Sequence, residues 1–479
     1  MPRLESDSVG SCDRTLYANR MYTWQSVEIA TANAETIWTC VQVLRSVHAM
    51  IRWVATLLAI APSCGFPRPA DVLPADGGED GAVPSQVTVH VSASGNDAND
   101  GIALPVLTLK RALGVAMAQT KVVTIAMEAG RYGVTTGETF PYVLPSNVTI
   151  AGSTTGSTVL VGNTTTPGIT VDSGTLQDLE FESFTTAVTA RQMTQLTHLH
   201  VRASDISVRA ETMATVVVNG LDIIGTAGAC SVGVELNGAT TLTATGIATH
   251  SLGTSIQIKD STTTKLTSAS FTGDASCPAS VLQVSSSASF MLSDSTLDGG
   301  TNGITFGNAL AATQATLTNV TIQNMKSDGL AGDTATVHMT GGELSSNMAN
   351  GADAMGGNWV FTNVTMASNN ASGFYLQNAA LTMRGCTMSN NGNGVHVASG
   401  NKIDLGTQLD NGNNTIQNRV LGVIVDGGTQ VSAVGNTWQP SVQGTNNLGK
   451  YGAATVITGP VPVVQGNNYA ILDQSTLIR

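Results

Sequence analysis

Charge is scarce in this chain. Of its 479 residues only 11% are Asp, Glu, Lys or Arg, where soluble proteins carry roughly a quarter. That sparsity excludes coiled coils and helical repeats, which are built largely from Ala, Glu, Lys, Leu and Arg. Aromatic residues are also few, at 4%. Basic runs are missing, and 21 Lys and Arg stand against 33 Asp and Glu. The electrostatic footprint that nucleic acid demands is therefore absent, and no nucleic-acid partner is expected. No apolar run reaches the ~18 residues of a membrane span. Nucleotide loops, nucleophile elbows and zinc signatures are missing too. With 51 glycines, chance GxG matches carry no weight. What the chain does hold is an apolar fraction of 42%. That suffices for a large core and excludes a charge-driven disordered chain.

The most apolar stretch is Trp53 to Ala61 (WVATLLAIA), preceded by Arg52. It suits the apolar region of a secretory signal. Ala61-Pro62-Ser63-Cys64-Gly65 follows and resembles the lipobox of bacterial lipoproteins, although Pro62 is unusual there. Ordinary cleavage after Ala61 would leave Pro62 as the first mature residue, which signal peptidases generally reject. Residues 50–63 are thus expected to be a lipoprotein signal peptide, and Cys64 the lipidated residue. Residues 64–86, punctuated by Pro67, Pro69, Pro74 and Pro84, read as a tether. Residues 1–49 read as an over-extended start or a disordered leader, with translation beginning near Met50. The competing reading is an internal apolar segment behind such a leader. Gly65 rather than Asp after the cysteine implies, by resemblance to lipoprotein sorting, the outer membrane; a secreted protein is the other expectation. Membrane contact would run only through the lipid.

Internal repeats decide the fold class. The phrases ATLTNVTIQN, VHMTGGELSSN, WVFTNVTMASN and LTMRGCTMSNN share an apolar anchor at Ile322, Leu344, Met366 and Met388, each 22 residues after the last. Upstream the same slot reads Leu297, Phe271, Ile247, Ile223, Val201 and Phe181, at intervals of 20 to 26. Five residues before each anchor lie Leu176, Leu196, Val218, Leu242, Leu266, Leu292, Leu317, Met339, Phe361 and Met383, all apolar. Two before it come Leu179, Leu199, Leu221, Thr245, Ala269, Ser295, Val320, Gly342, Val364 and Cys386. Residues two apart on a strand share a face, so these slots point inward together. A second apolar pair follows most anchors, as in Val234 with Leu236 or Phe374 with Leu376. A short repeat of strands with Gly and Asn turns and no helix is one coil of a parallel β-solenoid. The expected domain spans residues 87–479. Asn347, Asn369 and Asn391 share the period and should stack as an amide ladder. Stack ends need caps. The amphipathic stretch Pro105 to Ala118 predicts a helix over one end, and the irregular Trp438-to-Pro462 stretch could close the other.

The run VHVSASGNDANDG from Val89 to Gly101, then the helix, IAMEAGRY and GETFPYVLPSNVTIAGS, is distinctive. It resembles the domain of unknown function family 1565, within the pectate-lyase-like right-handed β-helix superfamily. The later GNNTIQN and VSAVGNTW fit the same pattern. The resemblance extends from about Val87 to Trp438. It implies an all-β, single-stranded right-handed parallel β-helix, a cell-envelope or secreted setting, and no established activity. Polysaccharide lyases of family nine share the N-terminal style.

Superfamily enzymes typically use carboxylates with Arg or Lys on an outward strand face, and the repeat register lets that face be read. The row before the anchors begins Glu180, His200, Asp222; the row after begins Glu182, Arg202, Ile224; the row three before begins Asp178, His198, Gly220. Glu180, His200, Asp222 and Arg202 are the candidate catalytic residues. One reading is cross-strand charge pairing. The other is a polar site. Two rungs separate Glu180 from Asp222 by about 9.6 Å of backbone, close to the ~6.5–9.5 Å of inverting glycosidases. A histidine between them suits acid work or ion pairing. Asp294, Asp298, Asp328 and Asp333, with Lys326, could form a calcium-and-lysine lyase site of the family-nine kind. Calcium is the one cofactor considered, and a dedicated metal site is otherwise not expected.

Cys386 falls in an inward row and reads as a buried thiol. Cys230 and Cys277 lie two coils apart. An oxidising compartment favours a bridge between them, whereas two rungs exceed the ~7 Å Cα limit unless the loops lean together. Two functions remain open. One is a monomeric, lipid-anchored, non-catalytic scaffold binding a polysaccharide on its Thr/Ser/Asn face. The other is a polysaccharide lyase or glycoside hydrolase. The absence of a basic stripe for acidic polymers favours the scaffold.

Overall fold

A computed structural model describes residues 86–438 apart from 261, 286–288, 308–312 and 427–429, and beyond them the backbone of five strands between 449 and 478. The expected leader, signal peptide, Cys64 and nearly all of the tether lie outside the described residues. The described residues all fall in the compact unit Ala82–Arg479.

The chain winds into a parallel β-solenoid of about 14 turns. Its strands stack in three ladders. The first begins with Val87–Val91, Val123–Met127 and Val148–Ala151; the second with Gly130–Gly133 and Thr158–Val161; the third with Tyr142–Leu144 and Ile169–Val171. Every backbone N–H and C=O of a ladder strand points along the axis to the coil above or below, while side chains alternate inward and outward. In ten successive coils the first ladder turns into the second through one residue in the left-handed region. This corner column runs Asp178, His198, Gly220, Gly246, Ser268, Asp294, Asn319, Gly341, Asn363 and Gly385, with φ between 48° and 76°. Gly, Asn and Asp, which tolerate this conformation best, fill eight of the ten places.

The inward rows carry the core. Phe181, Val201, Phe271, Leu297, Ile322, Leu344, Met366 and Met388 are all buried. One coil departs from the expected register. Ile223 pairs with Thr249 rather than Ile247, and Thr249 pairs with Phe271. Ile247 stands instead beside Leu221, and Ala244 rather than Leu242 beside Val218 and Leu266. Thr245, expected inward, is exposed. The slip is two residues, so apart from Thr245 beside the corner the side chains keep their faces, and an apolar pattern cannot detect it. Thr249 survives at the anchor because its hydroxyl bonds Ser255 Oγ at 2.7 Å.

The asparagine ladder forms and extends beyond its expected members. The side-chain amide of Asn347 donates to Asn369 Oδ1 at 2.9 Å, Asn369 to Asn391 at 2.8 Å, and Asn391 to Asn418 at 2.9 Å. The same oxygens of Asn369 and Asn391 accept the backbone N–H of Asn347 and Asn369.

A helix, α1, spans Leu109–Met117, with Thr108 as its N-cap. Leu109, Ala112, Leu113 and Ala116 are buried over the first coil. The two distinctive N-terminal phrases hold its start. Asp97 accepts the Leu107 and Thr108 N–H groups, each at 2.9 Å, and the Thr108 hydroxyl at 2.8 Å. Glu138 is buried; it accepts the Leu109 N–H at 2.8 Å and the Tyr142 hydroxyl at 2.6 Å. Burial pushes the Glu138 carboxyl upward, with those two bonds opposing. At the far end the expected irregular stretch is partly regular. Gly449–Tyr451 and Thr455–Thr458 continue the parallel ladders, and two antiparallel pairings then close the stack. Antiparallel strands end the row of open parallel edges.

Cys230 and Cys277 form a disulfide with a Cα–Cα distance of 5.5 Å. The two-rung objection fails because the coil between them has almost no loop at this point, turning from Leu252 to Thr254 through Gly253. A Cβ on Gly253 would stand 2.8 Å from Cys230 Cα. The flanking loops therefore close directly over a glycine. Cys386 is free and buried, and burial pushes its thiol to about 11.

Phe361 is fully buried, with ring centroids 5.1 Å from Phe374 and 6.3 Å from Trp359. Phe361→Ala should lower unfolding free energy by about 3–5 kcal/mol, and its outward neighbour Thr362→Ala by under about 0.5 kcal/mol. Denaturant titration of both variants checks the register, and equal losses would refute it.

Candidate functional site

The candidate residues converge on one outward surface. In register, Glu180, His200 and Asp222 occupy successive rungs of the second ladder, and Glu182, Arg202 and Ile224 run beside them. Glu180, His200 and Arg202 border an open groove of about 410 Å³ whose walls also include Ser157, Asp178 and His198, with Asp222 just outside it. Asp178 and His198 reach it because both sit in the left-handed corner column.

The groups are paired across rungs. Arg202 Nε lies 2.9 Å from Glu180 Oε1, and the Ser157 hydroxyl donates to Glu180 Oε2 at 2.9 Å. Glu182, although level with Arg202, bonds Arg131 instead at 2.9 Å. His198 Nδ1 lies 3.3 Å from Asp178 Oδ1. His200 Nδ1 lies 3.2 Å from Asp222 Oδ2. A third histidine, His250, completes the row, with Nε2 3.4 Å from Asp222 Oδ1. The two-residue slip at Thr249 is what brings His250 beside Ile224 and within reach of Asp222. A 26-residue interval at that coil would have revealed it in the sequence. Ser157 was missed because it lies before the strand Thr158–Val161, outside the aligned rows.

Pairing continues on the third ladder. Arg191 stands between Asp172 and Glu211, at 3.6 and 3.1 Å. Glu235 is bracketed by Arg209, at 2.6 Å, and Lys259. Burial pushes the Glu235 carboxyl up, but the Lys259 and Arg209 bonds outweigh it and hold it below the usual range.

The second acidic group is not one site. Asp294 belongs to the corner column and accepts Asn319 Nδ2 at 3.1 Å; Asp298 accepts Asn324 Nδ2 at 2.7 Å. Asp328 accepts the backbone and side-chain N–H groups of Asn350 at 2.9 and 3.0 Å, and the Ser327 hydroxyl at 2.9 Å. Among the described residues no three His, Cys, Asp or Glu side chains are arranged to hold a metal ion. Asp328 and Asp333 instead act on a carboxyl that sequence reasoning passed over. Asp353 is pushed up to about 6, first by burial and then by the charges of Asp328 and Asp333.

Residues 93–273 match the family model "Protein of unknown function (DUF1565)", and residues 303–457 match "Right handed beta helix region". The chain is a right-handed β-helix, and its N-terminal half carries the pattern of the first family. No curated protein matches it. Among solved structures, it is similar to pectate lyase Pel9A at 11% identity and a TM-score of 0.26, covering 72% of this chain and 78% of that one. It is also similar to the A-module of the mannuronan C-5 epimerase AlgE4 of Azotobacter vinelandii, at 14% identity and a TM-score of 0.28, covering 73% of this chain and 93% of that one.

The Asp353 shift has a measurable sign. Its carboxyl binds a proton more tightly folded, at about 6, than unfolded, at about 3.8. Its contribution to stability is therefore greatest below about pH 4 and falls as pH rises towards 6. Asp353→Asn should be more stable than the natural protein at pH 7.5, by on the order of 1 kcal/mol after solvent screening of this half-buried group. The two proteins should melt together at pH 4. Thermal melts across that range check it; a variant less stable at pH 7.5 would contradict it.

Proposed function

We propose that the protein is a non-catalytic, glycan-binding scaffold of the cell envelope, held at the membrane through a lipid on Cys64. One observation carries the binding reading. Along the outward side of the first ladder, Gln177, Thr197, Asn219, Thr245, Thr267, Ser293, Thr318, Thr340 and Thr362 follow one another in register, one per coil. Nine consecutive hydroxyls and amides at the ~4.8 Å rung spacing offer a long row of donors and acceptors to a hydroxyl-rich polymer. The groove supports the non-catalytic half of the reading. Both oxygens of Glu180 are occupied, and each neighbouring acid has its own basic partner. The Cys230–Cys277 bridge suits an oxidising compartment.

The second reading is a polysaccharide lyase or glycoside hydrolase. It rests on Glu180 and Asp222 flanking His200 on adjacent rungs.

Both readings meet in one experiment, with the protein screened against neutral and uronate-containing polysaccharides for binding and for cleavage. Binding without new chain ends is expected. A Thr245→Arg, Thr340→Arg variant should weaken it at least tenfold, because the arginines intrude on the row. Glu180→Gln with Asp222→Asn should leave binding unchanged and cost only about 0.2–1 kcal/mol per lost pair. Cleavage abolished by the groove variant would establish the enzyme reading instead, and no binding at all would end the scaffold reading. For the anchor, Cys64→Ala should lose metabolic lipid labelling and membrane partitioning; unchanged partitioning would contradict it.

A further inference from the structure

The third ladder carries a second constellation. Asp353, Tyr375 and His396 occupy one outward row on three successive coils, each in register with the next. Among the described residues of 86–438, Tyr375 is the one Phe, Tyr or Trp side chain on an outward strand row. Phe140 and Trp438 are packed against the core, and the other Phe, Tyr and Trp rings of that span are buried. In a chain this poor in aromatics, a ring spent on the outside needs a reason.

Its neighbours are held in place. His396 meets the Tyr375 ring at 5.1 Å, nearly perpendicular, and its Nε2 lies 3.1 Å from Asp426 Oδ2. Below Tyr375, Asp353 stands over Ala331, whose side chain is a single methyl group. Asp353 Oδ1 is shielded from solvent yet has no hydrogen-bond partner. A carboxylate left with an unpaired acceptor calls for a donor. An aromatic face beside such an acceptor matches the two surfaces of a sugar ring, which is apolar on its C–H faces and donates hydroxyls at its rim.

We propose that Asp353, Tyr375 and His396 form a second binding site that takes one uncharged pyranose unit, its ring against Tyr375 and a hydroxyl donated to the partly exposed Asp353 carboxylate. The charges of Asp328 and Asp333, which already bear on Asp353, disfavour a uronate there. The site lies on a different ladder from the Thr/Ser/Asn row, so the two can fail separately.

The test uses the full chain and the methyl glycosides of glucose, galactose, mannose and N-acetylglucosamine, with saturation-transfer NMR and titration of the Tyr375 ring resonances. At least one glycoside should bind and shift those resonances. Tyr375→Ala and Asp353→Ala should each weaken binding at least tenfold, while Tyr375→Phe stays within about threefold of the natural protein. Thr245→Arg with Thr340→Arg should leave it unchanged, which separates this site from the first-ladder face. If the alanine variants fail to fold, the ring titration of the natural protein still decides. No binding by any of the four, binding that leaves the Tyr375 resonances unmoved, or binding that requires added calcium would overturn the proposal.

Discussion

Everything in this molecule depends on parallel backbone hydrogen bonding between one coil and the next. A strand in the middle of the stack cannot move without breaking two sets of bonds, so each residue is locked to its equivalents above and below. From that lock come both the core and the surface. Inward slots become continuous apolar rows because like sits on like, and outward slots become columns of matched polar groups. The asparagine ladder is the same principle applied to side chains: each amide from Asn347 to Asn391 bonds the amide one coil on. The stack is quasi-one-dimensional, so its ends are its weak points. Helix α1, pinned by Asp97 and Glu138, covers one end, and the antiparallel strand pairs finish the other.

The same stacking explains why so few charges suffice. Groups on adjacent rungs are within pairing distance by construction, so a carboxylate on one coil finds its partner on the next. Glu180 with Arg202, Asp222 with His200 and His250, and Glu235 with Arg209 and Lys259 are all pairs between coils. Such pairs fix register, because a one-residue slip would put them on the opposite face. Asp353 stands in a different setting. Its row places Ala331 below it and Tyr375 above it, and neither side chain is a cation. That contrast separates carboxylates bonded to a cation on the next coil from one bordered by a methyl group and an aromatic ring.

Much of this was legible in the sequence, for a physical reason: a repeat that must stack has to repeat its apolar slots. The anchors from Phe181 to Ile223 and from Phe271 to Met388 are visible without coordinates, as are Cys386 inside and the adjacency of Glu180, His200 and Asp222. What was hidden had equally physical causes. A two-residue slip preserves the inward–outward alternation, so Thr249 and His250 were misplaced by an otherwise correct pattern. The disulfide depended on the missing loop at Gly253, a feature of the intervening coil rather than of either cysteine. Arg202 took Glu180 rather than its level neighbour Glu182 because Arg131 already bonds Glu182 from an earlier coil. The row of Asp353, Tyr375 and His396 escaped notice because it lies on the third ladder, where the repeat phrases were read only for their apolar pair.

We propose that the paired charges of the groove hold coils together and do no chemistry. The most direct measurement is a double-mutant cycle on Glu180 and Arg202, with Glu180→Gln, Arg202→Met and their combination followed by denaturant unfolding. The account predicts a coupling of roughly 0.2–1 kcal/mol, with glycan binding the same in all four proteins. A coupling near zero, together with altered glycan binding or turnover in the single variants, would contradict it.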